Sequence, residues 1–335
     1  MNFPPSIRRK RILAIALSVA VICAALAVLL SIRPGEGRPA RVTVMLDFFA
    51  NPNHVPIYAG IAEEMFSSRG IDVEVLIPAN PADPLKLVAA GTIDVALTPQ
   101  INFMIARSSG LPIVAIAALI DRSLGGLLTL GELNIRSLSD LKGKKVGYSL
   151  EPLEPILWRT MLGTVGVSPD EFELISTGFN TVVALLSHKV SAIGAFRNFE
   201  LLQVELMAQD PVYFAQEDYG VPDTYEILLV VNESEARAGA AWIAPFAESI
   251  AEAIAHTKEN PEEAFGAFID AHPDLNDELN SRAYAKTIPL YADGALHSDR
   301  AKWEDMQRYL VSNGLMENTL PLDELYTEDF LLQRE

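Results

Sequence analysis

Four short segments carry the side chains that could do chemistry. Asp47-Phe48-Phe49 leads into Asn53-His54, and Thr98-Pro99-Gln100 follows an apolar run. Gly194-Ala195 opens into Phe196-Arg197-Asn198-Phe199-Glu200, and Tyr225-Glu226 precedes another apolar run. Each segment mixes carboxylates, amides and aromatic rings beside what reads as the end of a strand. In open α/β sheets, polar side chains and backbone N–H groups reach a ligand there. The set suits a flat, neutral or weakly cationic heterocycle, stacked between rings and held along its amino and ring-nitrogen edges. Asp47 and Glu226 would accept hydrogen bonds at those edges, and Phe48 and Phe196 would stack. Asn53, His54, Gln100 and Asn198 would position the ring. Tyr225, Glu200 and Glu151 complete the candidate set.

Other chemistries find little support. The chain has no glycine-rich phosphate loop, zinc-ligand pair or nucleophile elbow. His54, His188, His256, His272 and His297 have no partner at metal-ligand spacing, so neither a metal nor a cofactor is expected. Lys142-Gly143-Lys144-Lys145 lacks a glycine cradle and reads as a solvated turn. Trp158, Trp242 and Trp303 lie on helical patterns and read as core. Of 26 Lys and Arg and 44 Asp and Glu, six bases and one acid fall in the first forty residues, leaving 20 bases against 43 acids beyond them. So acidic a body repels nucleic acid and anionic membrane, and self-repulsion keeps it soluble and monomeric.

Two kinds of element must position the candidate residues. At the N-terminus, Arg8 to Arg11 precede an uncharged run from Ile12 to Ile32, about 21 residues long. That is close to the ~20 that cross a bilayer and longer than the ~7–15 of a signal peptide's apolar region. Residues 1–40 therefore read as a signal peptide or retained membrane anchor plus linker, exporting the body to the periplasm. Ala25-Leu26-Ala27 offers a cleavage site; Cys23, the single cysteine, lacks the small preceding residue of a lipoprotein signal. The body alternates strands with helices. Strands are predicted at 42–46, 71–77, 93–97, 113–119 and 126–130, with helices over 56–68, 83–90 and 100–108. A second series follows, with strands at 145–148, 172–175 and 192–195 and helices over 155–162, 181–187 and 198–208. A strand at 227–231 brings the chain back to helices over 236–256, 261–271, 275–290 and 300–312. The class is α/β, with two βα lobes around a cleft: 41–130 with 232–335 as lobe I, discontinuous, and 131–231 as lobe II.

These residues resemble the periplasmic binding proteins for thiamine-pyrimidine precursors, a family that also contains the fungal enzyme making the thiamine pyrimidine phosphate. The resemblance covers about residues 41–330. It rests on Asp47-Phe48-Phe49 with Asn53-His54, on Gly70-Ile71-Asp72-Val73, and on Leu87-Val88-Ala89-Ala90-Gly91 with Asp94. Asp140-Leu141-Lys142-Gly143-Lys144-Lys145-Val146-Gly147, the Gly194–Glu200 segment and Gly220-Val221-Pro222 before Glu226 complete it. The 87–91 and 140–144 segments are shared with binders of sulfonates, nitrate and taurine, whereas the Asn-His loop and the Gly194–Glu200 segment are narrower. The resemblance implies a type II periplasmic-binding-protein fold, here preceded by the N-terminal apolar helix, and departures from the fungal enzyme favour no enzymatic activity. It also implies capture of an aminopyrimidine for an ABC permease and its ATPase.

The fungal enzyme holds pyridoxal phosphate on a lysine and consumes a nearby histidine; the match sets Thr98 and Asn102 at those positions. Threonine cannot form the Schiff base. Leu150-Glu151-Pro152-Leu153-Glu154-Pro155 replaces that enzyme's phosphate loop, and two carboxylates there repel a phosphate. This chain has Phe48 where the binders usually have Trp, and Asp223-Thr224-Tyr225-Glu226 reorders their Tyr-Asp-Glu. The alternatives are a binder of another small solute of the sulfonate, taurine or nitrate type, a pyrimidine synthase, or an anchored sensor.

Overall fold

A computed structural model of the chain describes residues 40–207, 209–293 and 298–330. The N-terminal apolar run with Cys23, Ala208 at the end of a predicted helix, and His297 lie outside them. The described chain from Ala40 onward forms one compact unit.

Its strands are β1 (Ala40–Met45), β2 (Ile71–Leu76), β3 (Val95–Thr98), β4 (Ile113–Ile120), β5 (Gly125–Leu130), β6 (Lys145–Tyr148), β7 (Glu173–Ser176), β8 (Ile193–Phe196), β9 (Pro211–Ala215) and β10 (Ile227–Asn232). The first sheet has the order β2-β1-β3-β10-β4. Pairing is parallel within β2-β1-β3, and β10 lies antiparallel to both β3 and β4. Every residue of β4 is buried, as an unbroken aliphatic run covered on both faces should be. In the second sheet β5 lies antiparallel between β8 and β9, β6 pairs with β7 in parallel, and a single bridge from Val146 to Ala192 sets β6 beside the start of β8. Each sheet thus receives one reversed strand: β10 in the first, β5 in the second.

Sheet membership moves both expected boundaries. β10 pairs within the first sheet, so the chain returns before Ile227 and not after Val231. β5 pairs within the second sheet, so the chain crosses before Gly125 and not after Leu130. Gly126 makes this pairing possible, because a Cβ there would lie 2.3 Å from the Phe214 carbonyl oxygen and 2.6 Å from the Tyr213 ring. β9 itself was not expected. It is five residues long, begins with proline and is mostly half-buried, so its hydrophobic pattern is weak.

The helices that matter to the site are α1 (Val55–Ala62), α2 (Pro84–Ala89), α3 (Gln100–Ser108), α4 (Leu153–Thr164), α5 (Thr181–Leu186) and α6 (Glu200–Leu206). Beyond β10 come α7 (Glu233–Arg237), α8 (Ile243–Glu259), α9 (Pro261–Ala271), α10 (Glu278–Thr287) and α11 (Arg300–Ser312). Three predicted helices are shorter than their patterns. The helix predicted over 56–68 stops at Ala62. Glu64 turns to φ 55° and the Met65 N–H reaches back to the Gly60 carbonyl at 2.9 Å. This folds Phe66 under Gly60, where a Cβ would stand 2.7 Å from the ring and 2.9 Å from Ala253 Cβ. The run over 236–256 breaks at Gly239, φ 64°, into α7 and α8. The run over 275–290 starts only at Glu278, where the Asp277 side chain accepts from the Asn280 N–H at 2.8 Å. Trp242 and Trp303 are packed among other rings: Trp303 lies 5.1 Å from Tyr326 and 5.6 Å from Tyr225, and Trp242 lies 5.9 Å from Phe246.

Two glycines should respond with opposite sign. Gly60→Ala forces a methyl into the Phe66 ring and should destabilise by about 1–3 kcal/mol. Gly163→Ala, within α4 and with no atom within 4 Å of its would-be Cβ, should stabilise by about 0.5–1 kcal/mol. Urea unfolding of the two variants beside the parent checks this, and equal signs would contradict the packing described.

Candidate functional site

The cap at the start of α1 sets the first wall of the site. After β1 the chain turns through Asp47-Phe48-Phe49 to Asn51, whose side chain accepts from the Asn53 N–H at 2.9 Å. Pro52 follows where its missing N–H is not needed. The Asn51 N–H donates to His54 Nδ1 at 3.3 Å, so the ring carries its proton on Nε2 and donates it to Asp47 Oδ1 at 2.8 Å. His54 has no exposed surface. It aims Asp47 and has no face left for a ligand.

Asp47 and Phe48 line a cleft enclosing about 750 Å³ of atom-free space, its open side included. The opposite wall comes from the second sheet, with Gly125 on β5, Gly194 to Phe196 on β8, Glu154 and Trp158 on α4, and Glu200 on α6. Glu226, just before β10, closes the set. Four carboxylates therefore line the cleft, and among the described residues no Lys, Arg or His does.

Each glutamate is held by neutral donors at a strand end. Glu226 Oε2 accepts from the Leu124 N–H at 2.7 Å and the Gly125 N–H at 3.3 Å. Glu200 Oε2 accepts from the Phe196 N–H at 2.8 Å. Glu154 accepts from the Ser149 N–H at 2.5 Å, the Ser149 hydroxyl at 3.1 Å and the Leu150 N–H at 3.5 Å. Burial pushes all three carboxyls up to about 7, against the opposing pull of those N–H groups. The Asp47 charge pushes Glu200 and Glu226 further in the same direction, and Glu200 does so to Glu154. Gly194 lets Glu154 and Trp158 approach the strand, since a Cβ there would lie 2.6 Å from Glu154 Oε1 and 2.7 Å from the indole.

Of the candidate residues, Asp47, Phe48, Phe196, Glu200 and Glu226 meet in this cleft. Asn53, His54, Gln100, Asn198 and Tyr225 are buried but do not line it. Asn198 Nδ2 donates to Asn53 Oδ1 at 2.7 Å and to the Thr287 hydroxyl at 2.8 Å, so the segment after β8 is tied to the cap of α1 and the end of α10. Because Asn198 serves this link, α6 begins at Glu200 and not at 198. Gln100 Oε1 accepts from the Thr224 hydroxyl at 2.9 Å and the Tyr225 N–H at 3.2 Å, anchoring the approach to Glu226. Tyr225 itself packs against Trp303, and its hydroxyl accepts from the Asp299 N–H. Glu151 is exposed and outside the cleft; Glu154, one helical turn on, has the inward place.

Glu154, Trp158, Phe199, Gln216 and Asn51 also line the cleft and were not among the candidates. Trp158, read as core, is indeed only 1% exposed, yet its ring forms part of the wall and its Nε1–H has no acceptor. A signal for Glu154 was present: it begins a helix directly after a strand, as Glu200 does. Rings from segments following both sheets also meet, with Phe48 4.5 Å edge-on to Phe179 and Phe49 5.8 Å from Phe199.

Two sheets that exchange one reversed strand each, with a cleft at their strand ends, define the periplasmic-binding-protein fold. The alkanesulfonate-binding protein SsuA from Xanthomonas axonopodis pv. citri, solved bound to MOPS, has this fold. It aligns with TM-score 0.70 over 87% of this chain and 100% of its own, at 12% identity, a likeness of fold alone. Residues 51–264 match the family described as NMT1/THI5 like, and the chain belongs to that family. A thiamine biosynthesis protein of Haemophilus influenzae is 35% identical over 86% of this chain and 92% of its own. The formylaminopyrimidine-binding protein of Halalkalibacterium halodurans is 28% identical over 85% and 89%. The 4-amino-5-hydroxymethyl-2-methylpyrimidine phosphate synthase of Legionella pneumophila is 26% identical over 87% and 92%. The resemblance read from the sequence is thus borne out at the level of family and fold.

The buried carboxyls give the empty protein a distinctive pH response. A carboxyl raised from 4.5 to about 7 on folding binds its proton more tightly in the folded state. Its stabilising contribution is therefore complete below about 4.5 and is lost as pH rises through about 7. The melting temperature of the ligand-free chain should fall between pH 5 and 8, and Glu226→Gln should flatten that fall. A variant slope as steep as the parent's would contradict the burial described.

Proposed function

We propose that the chain is an extracytoplasmic solute-binding protein that captures an aminopyrimidine precursor of thiamine and delivers it to an ABC permease and its ATPase. The observation that carries this reading is the lining of the cleft: four carboxylates and several aromatic rings, without a basic side chain among the described residues. Such a wall accepts hydrogen bonds from an amino group and a protonated ring edge, and it repels anions. In this reading Asp47, Glu200 and Glu226 hold the ring's edge, while Phe48 and Phe196 cover its faces. His54, Asn53, Asn198, Gln100 and Tyr225 keep those groups in place. The name of the Halalkalibacterium relative supports the ligand class.

The same lining weighs against the alternatives. A sulfonate or nitrate would bring a second negative charge to a site that already holds four acids. Synthesis from pyridoxal phosphate is disfavoured as well. Thr98 has no amine, Asn102 is buried on α3, and a phosphate would meet Glu154. We therefore read the chain as a binder and not an enzyme, even though some of its relatives are named as synthases. The lobes at 41–130 with 232–335 and at 131–231, their boundaries shifted to before Gly125 and before Ile227, would close on the ligand as a hinged clamp. The Asn198–Asn53 bond and the Phe48–Phe179 contact would be made on closure. The N-terminal segment would export the protein, either as a cleaved signal or as a retained anchor, and the acidic body would act as a monomer.

Calorimetric titration of the full chain with hydroxymethyl- and formylaminomethyl-aminopyrimidines, an alkanesulfonate and pyridoxal phosphate tests this. At least one pyrimidine should bind with Kd in the micromolar range or below, and Asp47→Asn should weaken it about tenfold by removing a charged acceptor. Neither anion should release heat. Binding of the sulfonate alone, or an absorbance of an internal aldimine with pyridoxal phosphate, would overturn the proposal.

A further inference from the structure

The charge balance of the cleft is left open by the protein itself. Glu154 and Glu200 reach the carboxyl end of β8 from two different helices: Glu154 lies against Gly194, and Glu200 takes the Phe196 N–H. Every donor that the protein offers to Glu154, Glu200 and Glu226 is neutral, a backbone N–H or the Ser149 hydroxyl. The nearest guanidinium, Arg197, is engaged by Glu217 at 2.5 Å, lies 5.9 Å from the Tyr213 ring centre and does not line the cleft. His54 uses its Nε2–H as a hydrogen-bond donor to Asp47. A buried carboxylate without a counter-ion is strongly disfavoured. The amino group of a neutral aminopyrimidine offers two donors and its unprotonated ring nitrogens only accept, too few donors for four acids. Glu154 lines the cleft with Ser149, Thr181 and Trp158.

Resting on the aminopyrimidine reading above, we infer that the preferred ligand brings its own positive charge: a pyrimidine whose side group is a protonated primary amine, paired with Glu154 next to the ring-edge Glu200. A hydroxyl or formamide at that position would leave Glu154 to take up a proton instead. The ammonium offers three donors and neutralises one of the two acids, and charge-assisted hydrogen bonds are about twice as strong as neutral ones.

Two synthetic probes separate the possibilities: 4-amino-2-methylpyrimidine bearing either an aminomethyl or a hydroxymethyl group at position 5. Calorimetry on the full chain at pH 7.5 should give the amine about tenfold tighter binding or more. The amine's advantage over the hydroxymethyl probe should widen from pH 6 to pH 8 as Glu154 ionises, whereas Glu200 and Glu226 at the ring's edge act on both probes. The other charged or titratable groups around the site, Asp47 and Glu226 in the lining with His54, Tyr213 and Arg197 behind it, face both probes alike. Glu154→Gln should abolish the preference, since the amide oxygen still accepts from Ser149 but carries no charge to pair with the ammonium. Equal or tighter binding of the hydroxymethyl probe to the parent would overturn the inference, as would a preference that survives Glu154→Gln. The parent's pH series decides the matter even if the variant folds poorly. Hydroxymethyl binding without an amine preference defeats this inference alone, and failure of both probes defeats it together with the function proposed above.

Discussion

Glu226 is buried and Glu154 and Glu200 are half-buried, none of them with an ion-pair partner among the described residues, and much of the structure around them exists to hold them there. An ionised carboxylate leaving water loses several kcal/mol of hydration, which main-chain N–H groups at strand ends recover only in part. That is why all three sit where a strand has just ended or is about to begin, the places in a sheet where N–H groups are free of the ladder. It also explains the glycines opposite them. Gly194 admits Glu154 against β8, and Gly125 leaves room for Gln216, whose Oε1 would lie 2.7 Å from a Cβ there. The sheets supply the rigidity: β4 is buried along its whole length and β10 is buried at all but its last residue, so the strand ends that carry the donors have little freedom to relax.

Around this acid set runs a layer of buried amides and one imidazole that carry orientation from one sheet to the other. His54 is fixed by the cap at Asn51 and in turn fixes Asp47. Asn198 joins Asn53 to Thr287, linking β8 with the first wall of the cleft. Gln100 ties α3 to the segment that ends in Glu226. Two of these amides keep an unpaired atom, Gln100 Nε2 and Asn198 Oδ1, each buried. A buried unpaired polar atom costs about 1–3 kcal/mol, so the layer is not optimised for stability. Such a residue set is better suited to holding the cleft in one geometry, and it gives a physical account of why polar residues in the strand-end loops are buried without touching the cavity.

The order of elements was largely legible in the sequence, because apolar runs of strand length alternate with helical spacing and glycines punctuate them. What escaped were features decided by packing at a distance. The transfer of β5 to the second sheet depends on Gly126 fitting under Phe214, and the early end of α1 depends on Phe66 folding beneath Gly60; neither is a local pattern. Half of the site was legible for a similar reason. Asp47, Phe48, Phe196, Glu200 and Glu226 lie immediately beside strand ends, and that rule finds them. It also collected Asn53, Asn198 and Gln100, since adjacency to a strand end does not reveal which way a side chain turns. Glu154 was missed in favour of Glu151 because only the helix that begins at Leu153 decides which of the two faces inward.

The fold is one that accommodates many solutes, so the ligand must be argued from the wall of the cleft and not from the architecture. A lining whose charged groups are all acids, with Phe48, Phe196 and Phe199 among its rings, selects for a flat donor. The most direct measurement is a crystal structure of the protein grown with an aminopyrimidine. The account expects the ring between Phe48 and Phe196, with its amino and ring-nitrogen edge within about 3 Å of Asp47, Glu200 or Glu226. A ring bound elsewhere, or an anion coordinated inside this cleft, would contradict it.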